Sequence, residues 1–116
     1  MESVQQLARE AKQAAAALGS LPTAQKNRAL RAMAKSLETG QSAILSANAK
    51  DLAAARQAGV RGALLDRLTL DPKRVKEMAQ GLREVARLPD PVGQAIRSWR
   101  LANGLRITKT RVPVGV

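Results

Sequence analysis

The sequence predicts a mostly α-helical chain with a β-hairpin near its C-terminus. Apolar residues recur at helical spacing through about the first 88 residues. The segment LPDPVG, which begins at Leu88, then places two prolines, an aspartate and a glycine in six residues, a composition typical of a break. Beyond it, the runs QAIRSWRLA and LRITKTRVPVGV flank Asn103-Gly104, a dipeptide typical of a tight hairpin turn.

Capping residues and apolar stripes predict the first two helices. The first runs from about Ser3, which can cap it, to Leu18, and Gly19 ends it. The second starts at Thr23, a natural N-cap, and extends to about Glu38. One face of the second helix carries cations that could hold an anion, although a solvated face is the more ordinary interpretation; they are Arg28, Arg31 and Lys35.

The stretch QSAILSANAKDLAAARQAG leaves a choice between one helix and two. In a single helix Asn48 would lie in an apolar stripe with Leu52, which costs free energy unless its amide is paired. In two helices Asn48 becomes an N-cap and Asp51, three residues later, completes a capping box. We favour the break, and in both cases Asn48 and Asp51 have structural roles.

Two further helical segments precede the break. A short turn of helix is expected around Leu64, Leu65 and Leu68. Asp71-Pro72 is the clearest helix start in the chain, a capping aspartate followed by proline at the first helical position. This helix is expected to reach about Leu88. Gly81 within it costs about 1 kcal/mol relative to alanine, which suggests close packing.

The hairpin is expected to turn in two residues, because Asn and Gly both tolerate the positive φ angles of a type I′ turn. Pairing outward from that turn gives neither face a uniformly apolar character. An isolated two-stranded ribbon is only marginally stable in water, so we expect it to pack against another domain or subunit. The pairs expected from this register are Trp99 with Thr108, Arg97 with Thr110 and Arg100 with Ile107.

Composition limits the chemistry available. The chain has neither cysteine nor histidine, which removes disulfides, thiolate nucleophiles and the commonest general base and metal ligand. The carboxylates Glu77 and Glu84 are explained by ordinary surface pairing. The glycines occur singly and form no phosphate-binding loop. We therefore expect no catalytic, cofactor-binding or metal-ligating residue in this chain.

The net charge of +11 raises the possibility of an anionic partner. Because the basic residues are spread along the chain and Trp99 is its one aromatic residue, nucleic acid is an unlikely ligand. No apolar stretch approaches the roughly 20 residues of a membrane span, and no signal peptide is visible. The default location is the cytoplasm.

Five stretches, in order, carry a resemblance to a known family. They are TAQKNRALRAMAKSLE, ILSANAKDLAAARQAG, LLDRLTLDPKRV, LPDPVG and GLRITKTRVPVGV. Together they resemble the opening of the gamma-glutamyl phosphate reductases, also called glutamate-5-semialdehyde dehydrogenases, of the aldehyde dehydrogenase superfamily. The resemblance covers essentially the whole chain, so the expected fold is the N-terminal part of an α/β aldehyde dehydrogenase-like enzyme.

The resemblance implies NADPH-dependent reduction of L-glutamyl 5-phosphate to L-glutamate 5-semialdehyde and phosphate, in proline biosynthesis. In that family a cysteine thiolate attacks the acyl phosphate, and the resulting thioester accepts a hydride. These residues lie downstream of the stretch RVPVGV, so none is carried onto this sequence. The fragment alone is expected to be inactive.

The resemblance also implies an architecture. Residues 1–88 would form an N-terminal helical segment, and residues 89–116 a ribbon for homo-oligomer contacts around Asn103-Gly104 and the start of the first nucleotide-domain strand. That strand would be buried on both faces, which would explain why Arg111–Val116 is rich in valine. If that segment lies exposed, or is sealed by the chain's own helices, this physical argument fails. The alternative is a stand-alone basic helical protein that binds nucleic acid or a partner chain.

Overall fold

A computed structural model of the chain describes residues 3–114 and confirms the predicted class, mostly α-helical with a C-terminal β-hairpin. The hairpin is a two-stranded antiparallel sheet. None of the described helices is long and apolar enough to cross a membrane. The elements are α1 (Val4–Gly19), α2 (Thr23–Thr39), α3 (Gln41–Gln57), α4 (Ala63–Leu68), α5 (Pro72–Val85), β1 (Ala95–Arg100) and β2 (Arg106–Thr110).

The described chain divides into two units, which differ in how much they bury. The first comprises residues 3–26 and 89–114, and the second residues 27–88. Every buried residue among those described belongs to the second unit, where α3 contacts both α4 and α5. In the first unit, α1 buries none of its residues, and Val4, Leu7 and Leu18 are largely exposed. The buried set consists of Ala34, Asn48, Leu52, Val75, Ala79 and Ala86.

Two of the four predicted helix caps are confirmed. Ser3 accepts a hydrogen bond from the backbone N–H of Gln6 at 3.2 Å, and Asp71 accepts one from Arg74 at 2.7 Å. The prediction for Thr23 was wrong. It is the first residue of α2, and the carbonyl of Pro22 accepts the first backbone N–H groups of the helix. The Thr23 hydroxyl instead donates to a carboxylate far along the chain.

The predicted break at Asn48 was also wrong, since α3 is one helix. Asn48 is only 7% exposed, and both ends of its amide are paired. Its Nδ2 donates to the carbonyl of Leu68 and its Oδ1 accepts from the N–H of Leu70, each at 2.8 Å. These bonds satisfy the condition under which a polar residue is tolerated in an apolar stripe. Asn48 therefore fixes α3 to the segment that joins α4 and α5.

Two charged contacts complete the helical unit. Arg74 donates to the carboxylate of Asp66 and to the carbonyls of Asp66 and Thr69, so it closes the end of α4 onto α5. Arg83 on α5 donates through both terminal nitrogens to both carboxylate oxygens of Glu38 on α2. The Arg83 guanidinium lowers the pKa of Glu38, and Glu38 raises the pKa of Arg83.

The hairpin forms with a register one residue away from the predicted one. Trp99 lies opposite Ile107, Ser98 opposite Thr108, and a bulge near the base shifts the pairing of Ala95. The reason is the turn, in which Leu101 pairs with Leu105 and three residues form the loop. Within the turn only Gly104 has a positive φ, at 85°, so the turn is not the expected type I′. The observed cross-strand pairs also include Arg97 with Lys109 and Arg100 with Arg106.

The segment after β2 is not buried as predicted. Residues 111–114 belong to no strand, and Val112 and Val114 are exposed, the latter by 99%. Among the described residues, no strand other than β1 pairs with β2, so no further strand covers these valines. The physical argument from the valine-rich segment therefore fails for residues 111–114. Val116 lies outside the described residues.

Asn48→Ala is expected to destabilise the fold by about 1–2 kcal/mol, because it leaves the part-buried carbonyl of Leu68 and N–H of Leu70 without their partner. Urea unfolding followed by helical circular dichroism measures this as a lower midpoint or as lost helical signal. Asn27→Ala, at a half-buried helical position, is the control for the change in helix propensity. Equal effects of the two substitutions would contradict the role of Asn48.

Gly81→Ala is expected to stabilise the chain by about 1 kcal/mol. The sequence suggested that Gly81 permits close packing, but an added Cβ meets no atom within 4 Å. The gain in helix propensity is therefore not offset by a clash. Thermal unfolding of Gly81→Ala should show a higher midpoint than that of the unchanged chain. Gly19→Ala should show no such increase, because its Cβ would lie 3.0 Å from the ring of Pro113. A lower midpoint for Gly81→Ala would refute this.

Candidate binding surface

The ribbon is fixed at its base by the carboxylate of Asp90. One oxygen accepts from Lys26 Nζ at 2.8 Å and from Thr23 Oγ1 at 2.9 Å, both in the first turn of α2. The other oxygen accepts from the backbone N–H of Val92 at 3.0 Å, which shapes the local turn. The side chain of Asp90 is only 15% exposed. One aspartate thus joins the start of α2 to the loop that leads into β1.

These donors favour the charged form of the carboxylate. The hydrogen bond from Lys26, followed by those from Val92 and Thr23, lowers the pKa of Asp90 from 3.8 to about 2. Because the folded pKa lies below the ordinary value, the stabilisation is complete above about pH 4. It is lost as the pH falls through the folded pKa.

Backbone hydrogen bonds continue from Asp90 into the ribbon. The N–H of Gly93 donates to the carbonyl of Arg111 at 3.0 Å, and the N–H of Arg111 donates to Gln94 at 2.9 Å. Gly93 has a φ of 82°, which only glycine adopts readily. The Gln94 side chain also donates to the carbonyl of Asp90 at 3.0 Å. The two sides of the ribbon are therefore already hydrogen-bonded to each other at its base, next to Asp90.

The observed register gathers apolar side chains on one face of the ribbon. Trp99 and Ile107 lie opposite each other, and Leu101 pairs with Leu105 two positions towards the turn. Side chains two residues apart in a strand share a face, so these four residues form one patch, which we call the ribbon face. Trp99, Leu101 and Leu105 are between 39% and 56% exposed.

Cationic side chains border the ribbon face, and the ribbon contains no carboxylate that could pair with them. Residues 95–111 contain five basic residues and no acidic ones. Arg97 lies opposite Lys109 at the base of the ribbon face, and the Arg97 guanidinium is 5.5 Å from the centre of the Trp99 ring. The ribbon face therefore combines an apolar centre with a positively charged border.

The other residues weighed from the sequence do not assemble into a site. Arg28, Arg31 and Lys35 are exposed on α2, in agreement with a solvated face. Glu77 pairs with Lys73 on the surface, with a nitrogen–oxygen distance of 3.8 Å. In the part of the chain that the structure describes, no three acidic, histidine or cysteine side chains come together to hold a metal ion.

Sequence reasoning missed two features of the surface. The anchor at Asp90 has a local signal, an aspartate two residues before an accessible N–H, but its partner Lys26 lies 64 residues away. The apolar face was missed because the loop was counted as two residues. The triplet Ala102-Asn103-Gly104, with glycine last, also fits a three-residue loop and would have given the observed register.

The chain is similar to a class of known enzymes. No protein-family model matches the chain. The curated relatives that it matches are reductases, and the chain spans about a quarter of their length, 26% to 28%. The chain is similar to the N-terminal part of gamma-glutamyl phosphate reductases, as the resemblance indicated.

The similarity extends over nearly the whole chain. The gamma-glutamyl phosphate reductase of Moorella thermoacetica is 52% identical over 113 residues, which is 97% of this chain and 27% of that protein. That of Carboxydothermus hydrogenoformans is 49% identical over 116 residues, or 28% of its length. The crystal structure of the Thermotoga maritima enzyme matches with a TM-score of 0.88 at 38% identity, covering 97% of this chain and 27% of that one.

Asp90→Asn is expected to lower the thermal midpoint at pH 7 and to have little effect near pH 2, where the wild-type carboxylate also becomes neutral. The midpoints of both proteins are measured at pH 7, 4 and 2.5. Asp51→Asn, at an exposed position of α3, is the matched control. A difference between wild type and Asp90→Asn that stays constant down to pH 2.5 would contradict the charged anchor.

Proposed function

We propose that this chain is the N-terminal portion of an NADPH-dependent, cytoplasmic reductase of proline biosynthesis. The reaction reduces L-glutamyl 5-phosphate to L-glutamate 5-semialdehyde and releases phosphate. One observation carries the proposal: identity of about 50% with gamma-glutamyl phosphate reductases over almost every residue of the chain. The match of the backbone to two crystal structures of that enzyme supports it.

The role of this portion is architectural. Residues 1–88 would form the helical segment, and residues 89–116 the ribbon and the start of the first strand of the nucleotide-binding domain. The ribbon around Asn103-Gly104 would contribute to homo-oligomer contacts, which agrees with its exposed apolar patch.

The chemistry belongs to other parts of the enzyme. A cysteine thiolate is the nucleophile implied by the family, and this chain has no cysteine. NADPH supplies the hydride when bound. The donor set here does not fit a dinucleotide, because the glycines occur singly and form no phosphate-binding loop. We therefore assign no residue of this chain to catalysis, to the cofactor or to a metal.

A chimera tests the proposal. The matched N-terminal segment of the Moorella thermoacetica reductase is replaced by this chain, and NADP⁺ reduction is measured with L-glutamate 5-semialdehyde and phosphate. We expect a rate within about tenfold of the parent, a change in activation free energy of at most about 1.4 kcal/mol. The parent enzyme without its N-terminal segment serves as the inactive control.

Two results would count against the proposal. The first is a chimera that folds, as judged by circular dichroism, and yet has no activity. The second is NADPH oxidation by the isolated 116-residue chain with L-glutamyl 5-phosphate, which would place an active site where we assign none.

A further inference from the structure

The turn of the hairpin brings together the two groups of a self-modification reaction. Asn103 and Gly104 are consecutive, and both are exposed. A backbone nitrogen attacks the side-chain amide of the preceding asparagine most readily when it belongs to glycine, which has no side chain to obstruct the approach. The other asparagines of the chain, Asn27 and Asn48, are followed by arginine and alanine and lie within helices.

The surroundings of the turn leave room for this reaction. A Cβ built on Gly104 would meet no atom within 4 Å beyond its own chain neighbours. The oxygen Oδ1 of Asn103 also accepts a hydrogen bond from the N–H of Leu105 at 3.1 Å. Negative charge develops on this oxygen when the Gly104 nitrogen attacks, and an N–H that already points at it stabilises that charge. The turn therefore supplies both access and a donor for the reacting amide.

One hydrogen bond of the turn opposes the reaction. The N–H of Gly104 donates to the carbonyl of Leu101 at 2.9 Å, and the nitrogen must leave this acceptor before it can lose its proton and attack. Releasing one exposed hydrogen bond slows a reaction by about tenfold at most. The fold therefore lowers the reactivity of Asn103 without blocking it.

We propose that Asn103 is a site of spontaneous deamidation. The Gly104 nitrogen forms a bond to Cγ of Asn103, the bond from Cγ to Nδ2 breaks, and Nδ2 leaves as ammonia with the proton that the Gly104 nitrogen has lost. Water then opens the resulting succinimide ring at either carbonyl, which gives aspartate or isoaspartate. Water is the one co-reactant, and nothing is oxidised or reduced. This inference does not depend on the proposed reductase activity.

The two products affect the turn differently. An aspartate at position 103 keeps the length of the loop, and its carboxylate still accepts from the N–H of Leu105. In isoaspartate the main chain passes through the side-chain carbon, so the three-residue loop gains one backbone atom. Because loop length fixes the register of a hairpin, the isoaspartate form is expected to lose the pairing of Leu101 with Leu105 that closes the loop.

Peptide mapping measures the reaction directly. The intact 116-residue chain is incubated at pH 6 and at pH 8 and digested with trypsin, which releases residues 101–106 as one peptide. We expect this peptide to gain the mass that replaces NH₂ by OH and to separate into aspartate and isoaspartate forms on reversed-phase chromatography. The gain should be faster at pH 8, because the attacking nitrogen must lose its proton. A sample taken at zero time corrects for deamidation during digestion.

Two controls accompany the measurement. The tryptic peptide of residues 36–50 carries Asn48, which is buried in α3, and should keep its mass. Asn103→Gln keeps a side-chain amide but would have to close a larger ring, so residues 101–106 of this variant should also keep their mass. A synthetic peptide of residues 101–106 measures the reaction without the turn. We expect the rate in the folded chain to lie within about tenfold of the rate in this peptide.

Four outcomes would overturn the inference. They are no mass gain in residues 101–106, an equal gain at Asn48, an equal gain in Asn103→Gln, and a folded chain that reacts far more than tenfold slower than the synthetic peptide. The last result would mean that the turn protects the amide. The chimera assay measures activity and not the mass of this peptide, so failure of either hypothesis can be recognised separately.

Discussion

The left-handed conformation of Gly104 is the constraint on which the ribbon surface depends. Within the turn only Gly104 adopts a positive φ, the loop contains three residues, and Leu101 pairs with Leu105. A slip of one residue in a hairpin changes which side chains share a face. The observed register places Trp99 with Ile107 and sets the cations Arg97 and Lys109 beside them. The set of side chains that share the ribbon face thus depends on the conformation of its turn.

The other end of the ribbon depends on Asp90. A two-stranded ribbon is marginal by itself, and the unit that contains this one has no buried residue among those described. The ribbon is therefore held in place partly by hydrogen bonds that Lys26, Thr23 and Val92 donate to the Asp90 carboxylate. These bonds do part of what a buried core would otherwise do. The low pKa of Asp90 reflects the same three donors.

The parts of the fold that were predictable are those determined locally. Ser3 and Asp71 cap their helices through residues three positions away, and a capping residue is visible in the sequence. Asn48 was misjudged because the same residue that could start a helix instead found partners at Leu68 and Leu70, twenty or more positions later. The role of Thr23 was missed for the same reason, since its partner Asp90 lies 67 residues away.

Burial is distributed unevenly between the helical unit and the ribbon. The helical unit holds all the buried apolar residues described, and three of those five are alanine. The larger side chains of the ribbon are left at the surface. Fully burying a leucine contributes about 1.5–3 kcal/mol, and Leu101 and Leu105, which are 40% and 56% exposed, gain only part of it within the described chain. The cations Arg97 and Lys109 lie beside these partly exposed side chains.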